Sequence, residues 1–166
     1  MTVRNPSSSA RYQALLQLLR TADTLWNANR AFFARWDLGP SQFNVLNLLG
    51  DQPDGLSQVE LGHWLITHRS NVTGLVDRLE KRGLVKRTDA ATDRRAYRVV
   101  LTETGRGLLD EILPEFYTLS EEVWNPLSAA RAKEVAAALA SLAANAERLA
   151  TRSDLLTHPK TSKKTP

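Results

Sequence analysis

Apolar residues recur at helical spacing over most of this chain. Between about 10 and 36, Leu15, Leu18, Leu19, Ala22, Leu25, Trp26, Asn29 and Phe33 fall near i, i+3, i+4 and i+7, which predicts a long amphipathic helix. Gly39-Pro40 ends it, and Ser41 stands where it can cap a second helix that stops at Gly50. After a turn over 51–55, Ser57 caps a short third helix running from Gln58 to about Leu65, with Glu60 at the capping-box position. A fourth helix over about 69–82 puts Val72, Leu75, Val76 and Leu79 on one face and ends at Gly83. The period then drops to two. Residues 84–87 read as a short strand, 89–94 as a turn-rich tip, and 95–101 as a second strand with Tyr97, Val99 and Leu101 on one face.

A fifth helix begins near Thr102, with Gly105 and Gly107 in its early turns. Its stripe is Leu108, Leu109, Ile112, Phe116, Leu119 and Val123. Pro114 inside it predicts a kink, at about 3 kcal/mol that packing must offset. Asn125-Pro126 breaks the pattern, and a sixth helix follows from Ser128, with Val135, Leu139, Leu142, Ala146 and Leu149 at nearly heptad spacing. Residues 1–9 and 157–166 are polar and are expected to be disordered. The order α1-α2-α3-α4-β-β-α5-α6 predicts a mostly α fold, a winged helix-turn-helix over 38–104 between long terminal helices, 10–36 and 105–150. Apolar stripes this long need a cover, and a second copy of the chain is the simplest one, which makes the end helices a dimer base.

The 166 residues suit one ordinary domain or one subunit of an oligomer. With 42% hydrophobic and 24% charged residues the chain is neither disordered nor membranous as a whole. The absence of cysteine removes disulfides, thiolate metal sites and thiol switches. No apolar run reaches the roughly 18 residues of a membrane span, and residues 1–10 lack the apolar segment of a secretory signal, so a cytoplasmic protein is expected.

Charge narrows the class further. Residues 67–98 hold nine Lys/Arg against four acids, a net +5, while the rest carries 13 bases and 14 acids. A basic segment of this kind is the footprint of a polyanion partner. The third and fourth helices have helix-turn-helix spacing, and the fourth opens on short polar residues, His68, Arg69, Ser70, Asn71 and Thr73. Such a start suits entry into a major groove, where Arg can pair with guanine and Asn with adenine. Arg94 and Arg95, adjacent at a hairpin tip, suit a narrow minor groove, with Asp93 able to hold Arg95 extended through a charge-assisted bond. No glycine-rich phosphate loop, HExxH, EF-hand loop or distinctive triad occurs, and His63 and His68 do not share a helical face; neither an enzyme nor a metal or cofactor site is expected.

The stretches 56–62 (LSQVELG), 70–87 (SNVTGLVDRLEKRGLVKR) and 92–105 (TDRRAYRVVLTETG) resemble the MarR family of winged-helix transcriptional regulators. Asp93-x-Arg95 followed by Leu101-Thr102-x-x-Gly105 is the specific part; outside 40–105 the likeness is in helix length and order. The resemblance implies a homodimer whose two winged domains straddle a palindromic site on double-stranded DNA, acting as a repressor. It places recognition-helix contacts on His68, Arg69, Ser70, Asn71, Thr73 and Gly74, with Arg78 one turn further on the same helix, and the wing contact on Arg95, with Arg94 beside it and Asp93 orienting. His68 stands where Ser, Thr or Asp is usual, which leaves open whether Thr67 caps the helix or His68 faces DNA. The resemblance also implies a small aromatic or anionic effector between dimer base and winged domain, for which Trp26, Arg30, Phe33, Trp36, Phe43, His63 and Trp64 are candidates. The alternatives are a constitutive regulator without a ligand, or a winged helix that binds an acidic protein surface.

Overall fold

The structure, a computed structural model, describes residues 9–65, 72–90 and 93–151, with the side chains at 90 and 93–96 outside that description. The order is α1 (Ala10–Phe33), a 3₁₀ turn (Ala34–Trp36), α2 (Pro40–Gly50), β1 (Leu56–Ser57), α3 (Gln58–Trp64), α4 (Val72–Lys81), β2 (Val85–Ala90), β3 (Asp93–Leu101), α5 (Glu103–Trp124) and α6 (Ala129–Ala150). The chain divides at Pro114 into two compact units, Met1–Pro114 and Glu115–Pro166. Helix α5 includes Pro114.

In the first unit α2, α3, α4 and the start of α5 close over one core. Phe33 stacks on Phe43 with ring centroids 4.2 Å apart. Val45, Leu46 and Leu49 of α2, Leu61 of α3, all four apolar residues of the α4 stripe, and Leu109 and Ile112 of α5 are buried with them. Each such side chain contributes about 1.5–3 kcal/mol on burial, so α4 is held by its stripe rather than by its short length.

Two local expectations change. The cap of α2 is Gly39, whose N–H donates to Gln42 Oε1 at 2.9 Å, and not Ser41. Pro40 occupies the first helical position, where its missing N–H costs nothing and its fixed φ is already helical. The first helix stops at Phe33 rather than Trp36. The chain tightens into the 3₁₀ turn and leaves it through Asp37 at φ 53, a left-handed conformation. Arg82 of the α4 C-terminal turn then satisfies the carbonyls left open there, donating to Trp36 O at 3.0 Å and to Asp37 O at 2.5 Å.

The sheet has three antiparallel strands in the order β1-β3-β2. Strand β1, which the sequence pattern does not predict, pairs Leu56 with Val99 and Ser57 with Arg98; two residues are too few to show an alternation. The hairpin is longer than expected. Thr88 pairs with Arg98, Asp89 with Tyr97 and Ala90 with Asp93, with a register irregularity at Asp89/Ala90. Asp89, Ala90 and Asp93 of the expected turn-rich tip are therefore ladder, because backbone pairing continues past the apolar alternation that marked the strands.

The Leu101-Thr102-x-x-Gly105 motif joins sheet to helix. Thr102 N–H donates to Leu84 O at 3.1 Å and its hydroxyl to Gly83 O at 2.6 Å, while the same hydroxyl accepts from Gly105 N–H at 3.0 Å. A Cβ at Gly105 would lie 1.9 Å from Leu84 O, so only glycine fits this approach. Gly83, at φ +70, closes α4 as its C-terminal glycine.

In the second unit Ser128 caps α6 by accepting from Arg131 N–H at 3.3 Å. No residue of α6 is buried; Val135, Leu139, Leu142 and Leu149 are all exposed in the single chain.

Candidate nucleic-acid interface

Helix α4 presents two faces. Val72, Leu75, Val76 and Leu79 face the core, and Thr73, Asp77, Arg78 and Lys81 are exposed. Thr73, Asp77 and Lys81 lie four residues apart and so form one row along the outer surface. Thr73 is also anchored: its hydroxyl donates to Gln58 Oε1 of α3 at 2.9 Å, an exposed link between the two helices of the motif. Gly74 is half-buried. The candidates His68, Arg69, Ser70 and Asn71, and Thr67 as an alternative cap, lie outside the described residues.

Helix α3 is fixed at its start by a reciprocal cap. Ser57 N–H donates to Glu60 Oε2 at 2.7 Å, and Glu60 N–H to Ser57 Oγ at 3.2 Å. The Ser57 backbone N–H, with its hydroxyl and nearby Arg98 adding to the effect, holds the Glu60 carboxyl below the usual carboxylate range. Arg98 of β3 donates to Asp54 O at 2.8 Å and to Gly55 O at 2.6 Å and stands 3.8 Å from Glu60 Oε2. It binds the wing to the entry of α3.

The wing is β2 and β3. Lys86 and Tyr97 are exposed on it. Asp93, Arg94 and Arg95 are the first residues of β3, described as backbone, and their side chains lie outside the description. Arg87, in β2, reaches back to α4: its guanidinium donates to Asp77 Oδ1 at 2.5 Å and to Glu80 Oε2, and its backbone N–H donates to Glu80 Oε1 at 3.0 Å. Its bond to Asp77, with the charges of both acids, raises its already high pKa.

Three of the nine bases in 67–98 are thus committed to the fold: Arg82 to the corner after α1, Arg87 to α4 and Arg98 to α3. Arg78, Lys81 and Lys86 are exposed and make no ion pair among the described residues. Sequence reasoning counted the charges without seeing this division. The available signal was the acid pair at i, i+3 in α4, followed past the glycine turn by an arginine.

The effector candidates sit on α1, the 3₁₀ turn, α2 and α3. Phe33 and Phe43 are stacked in the core. Trp36 donates its indole N–H to Glu111 Oε1 of α5 at 2.8 Å and carries the Arg35 guanidinium over its ring at 4.3 Å. Trp26 is half-buried and Arg30 exposed on α1, and Trp64 is 70% exposed on α3. Of the seven, His63 lines a cleft of about 280 Å³, with Gln58, Val59, Gly62, Val72 and Thr73. Among the described residues there is no cluster of three or more His, Asp and Glu able to hold a metal, and no helix long and apolar enough to cross a membrane.

Comparison with known proteins matches residues 36–96 to the model of the MarR family. The HTH-type transcriptional regulator PapX of Escherichia coli is 31% identical over 127 residues, 75% of this chain and 77% of PapX. The transcriptional repressor MprA of Escherichia coli (strain K12) is 33% identical over 84 residues, about half of each chain (51% and 48%). Among solved structures, Bordetella bronchiseptica BpsR, whose DNA binding is regulated by 6-hydroxynicotinic acid, superposes with a TM-score of 0.70 at 26% identity, covering 84% of this chain and 96% of BpsR. A helix-turn-helix anchored on α4, a wing bound to both of its helices, and these likenesses agree: the chain belongs to the MarR family of winged-helix transcription regulators, which are DNA-binding proteins and not enzymes.

Proposed function

We propose that this protein is a cytoplasmic, homodimeric repressor that reads a palindromic operator with the start of α4 and grips the flanking minor groove with its wing. The observation that carries this reading is the amphipathic division of α4: an apolar face locked into the core, an outer face of Thr73, Arg78 and Lys81, and a hairpin held beside it. The recognition contacts are His68, Arg69, Ser70, Asn71, Thr73, Gly74 and Arg78. Those of the wing are Arg94 and Arg95, with Asp93 as the orienting acid. Residues 38–104 form the DNA-binding domain, and 10–36 with 105–150 the dimer base. The exposed leucines of α6 support that base, because an apolar stripe left largely open to solvent is a stripe for another chain. Repression is supported by the similarity to MprA. Release by a small aromatic or anionic effector is supported by the similarity to BpsR, whose DNA binding is regulated by 6-hydroxynicotinic acid.

Random-site selection followed by mobility-shift titration tests the reading. An inverted repeat is expected. If about six phosphates are contacted, affinity for it drops about 10³-fold between 50 and 200 mM salt. Arg95→Ala should weaken binding while leaving the dimer intact, and Asn71→Ala should cost roughly 1–3 kcal/mol per half-site on the selected duplex and less on random DNA. Selection of no symmetric site, or unchanged binding by Arg95→Ala, would refute the proposal.

A further inference from the structure

The three charged groups between α4 and the wing carry more than their count suggests. Arg87 is the third residue of β2 and is only 23% exposed at its side chain, although the carboxylates it meets are more open. One planar guanidinium bridges Asp77 and Glu80, and the backbone N–H of the same residue is bonded to Glu80. An isolated surface ion pair contributes little. A fork bound to two acids of one helix and fixed to a strand by its own main chain is different in kind, because it sets direction as well as distance. Asp77 lies on the outer row of α4 with Thr73 and Lys81, on the surface that the proposed reading turns toward phosphate, and half-buried Glu80 stands one turn on from it.

We propose that Arg87, together with Asp77 and Glu80, is a positioning clamp that fixes the angle between α4 and the wing, and so the spacing at which helix and wing engage adjacent grooves of one duplex. The inference rests on the DNA-reading geometry proposed above. It accounts for two acids on a helix that would otherwise repel the phosphate backbone: they are there to be bridged. Without the bridge the hairpin remains a hairpin, since its ladder runs from Val85↔Leu101 to Ala90↔Asp93 independently of Arg87's side chain. What is lost is its aim.

Removing the acids gives opposite signs for two explanations. If Asp77 and Glu80 matter only as charges, Asp77→Asn with Glu80→Gln takes two negative charges from the DNA side and tightens binding to every duplex. If they position the wing, the same variant binds the duplex recovered by random-site selection about tenfold more weakly than the unaltered protein, while its affinity for a random duplex is equal or greater. Glu80→Gln alone, which keeps the Asp77–Arg87 contact, should show the same sign with a smaller shift, and circular dichroism melting reports whether each variant is folded. Arg87→Lys should restore little relative to Arg87→Met, because one ammonium cannot span both carboxylates. Equal or tighter binding of the selected duplex by the folded Glu80→Gln and double variants, with Arg95→Ala still weakened, overturns the clamp and spares the reading beneath it. Unchanged binding by Arg95→Ala overturns both.

Discussion

Helices α4 and α6 are written in the same alphabet and end differently. In α4, ten residues bury four apolar side chains, while in α6 twenty-two residues bury none. Both display an amphipathic stripe in sequence. The stripe of α4 meets α2, α3 and the sheet within one chain, whereas that of α6 leaves Leu142 at 52% and Leu149 at 48% exposed. An amphipathic pattern declares that a face must be covered and says nothing of what covers it. The stripe of α4 is buried within its own chain, and that of α6 is left open there.

The sharpest attempt to break this contrast is Leu139→Asp with Leu142→Asp. If a second copy covers α6, two leucines lose about 1.5–3 kcal/mol of burial each. Sedimentation should then show monomer at concentrations where the unaltered chain is dimeric, while near-ultraviolet circular dichroism of the winged part is retained. A dimer unaffected by both charges would show that α6 is not the covered surface. Next in size is Leu79→Ala in α4, expected to cost about 2–5 kcal/mol by chemical denaturation, as for a fully buried leucine; a cost under about 1 kcal/mol would mean that the core is not self-contained. Gly105→Ala, forced against Leu84 O, should cost about 1–3 kcal/mol through a shift of the α5 start, measured the same way.

The smallest expected effect concerns the α3 cap. The folded pKa of Glu60 lies below its unfolded value, so its contribution is fully present above the unfolded pKa and is lost as pH falls through the folded one. The melting temperature of Glu60→Gln should therefore lie below that of the unaltered protein at pH 7, and the gap should close below about pH 4. A gap that persists in acid would place the effect in packing rather than in the carboxylate.

Much of the fold is legible because its signals are local. Ser57 and Glu60 spell a cap in four residues, Gly83 ends α4 by a conformation that glycine adopts freely, and Ser128 starts α6 as its position suggests. Strand β1 escapes because pairing with Val99 and Arg98 comes from residues more than forty positions away. The candidate site divides the same way. Polar residues opening a helix after a short turn, and paired arginines near a hairpin tip, are visible as text. The commitment of Arg82 to the corner after α1 and of Arg98 to Gly55 is not, since nothing in a run of basic residues distinguishes a surface charge from a strut. Phe33 and Phe43 likewise read as pocket or core until their rings are found stacked.

Periodicity, caps and the wing motif determined by themselves the six α-helices and the hairpin found among the described residues, and the basic middle of the chain, because each depends on neighbours within a few residues. Which arginines face outward, how the wing is tied to α4 and α3, and which apolar faces stay uncovered were decided only by the tertiary structure. Those properties belong to pairs of residues far apart in the chain, and only folding brings such pairs within reach of a hydrogen bond.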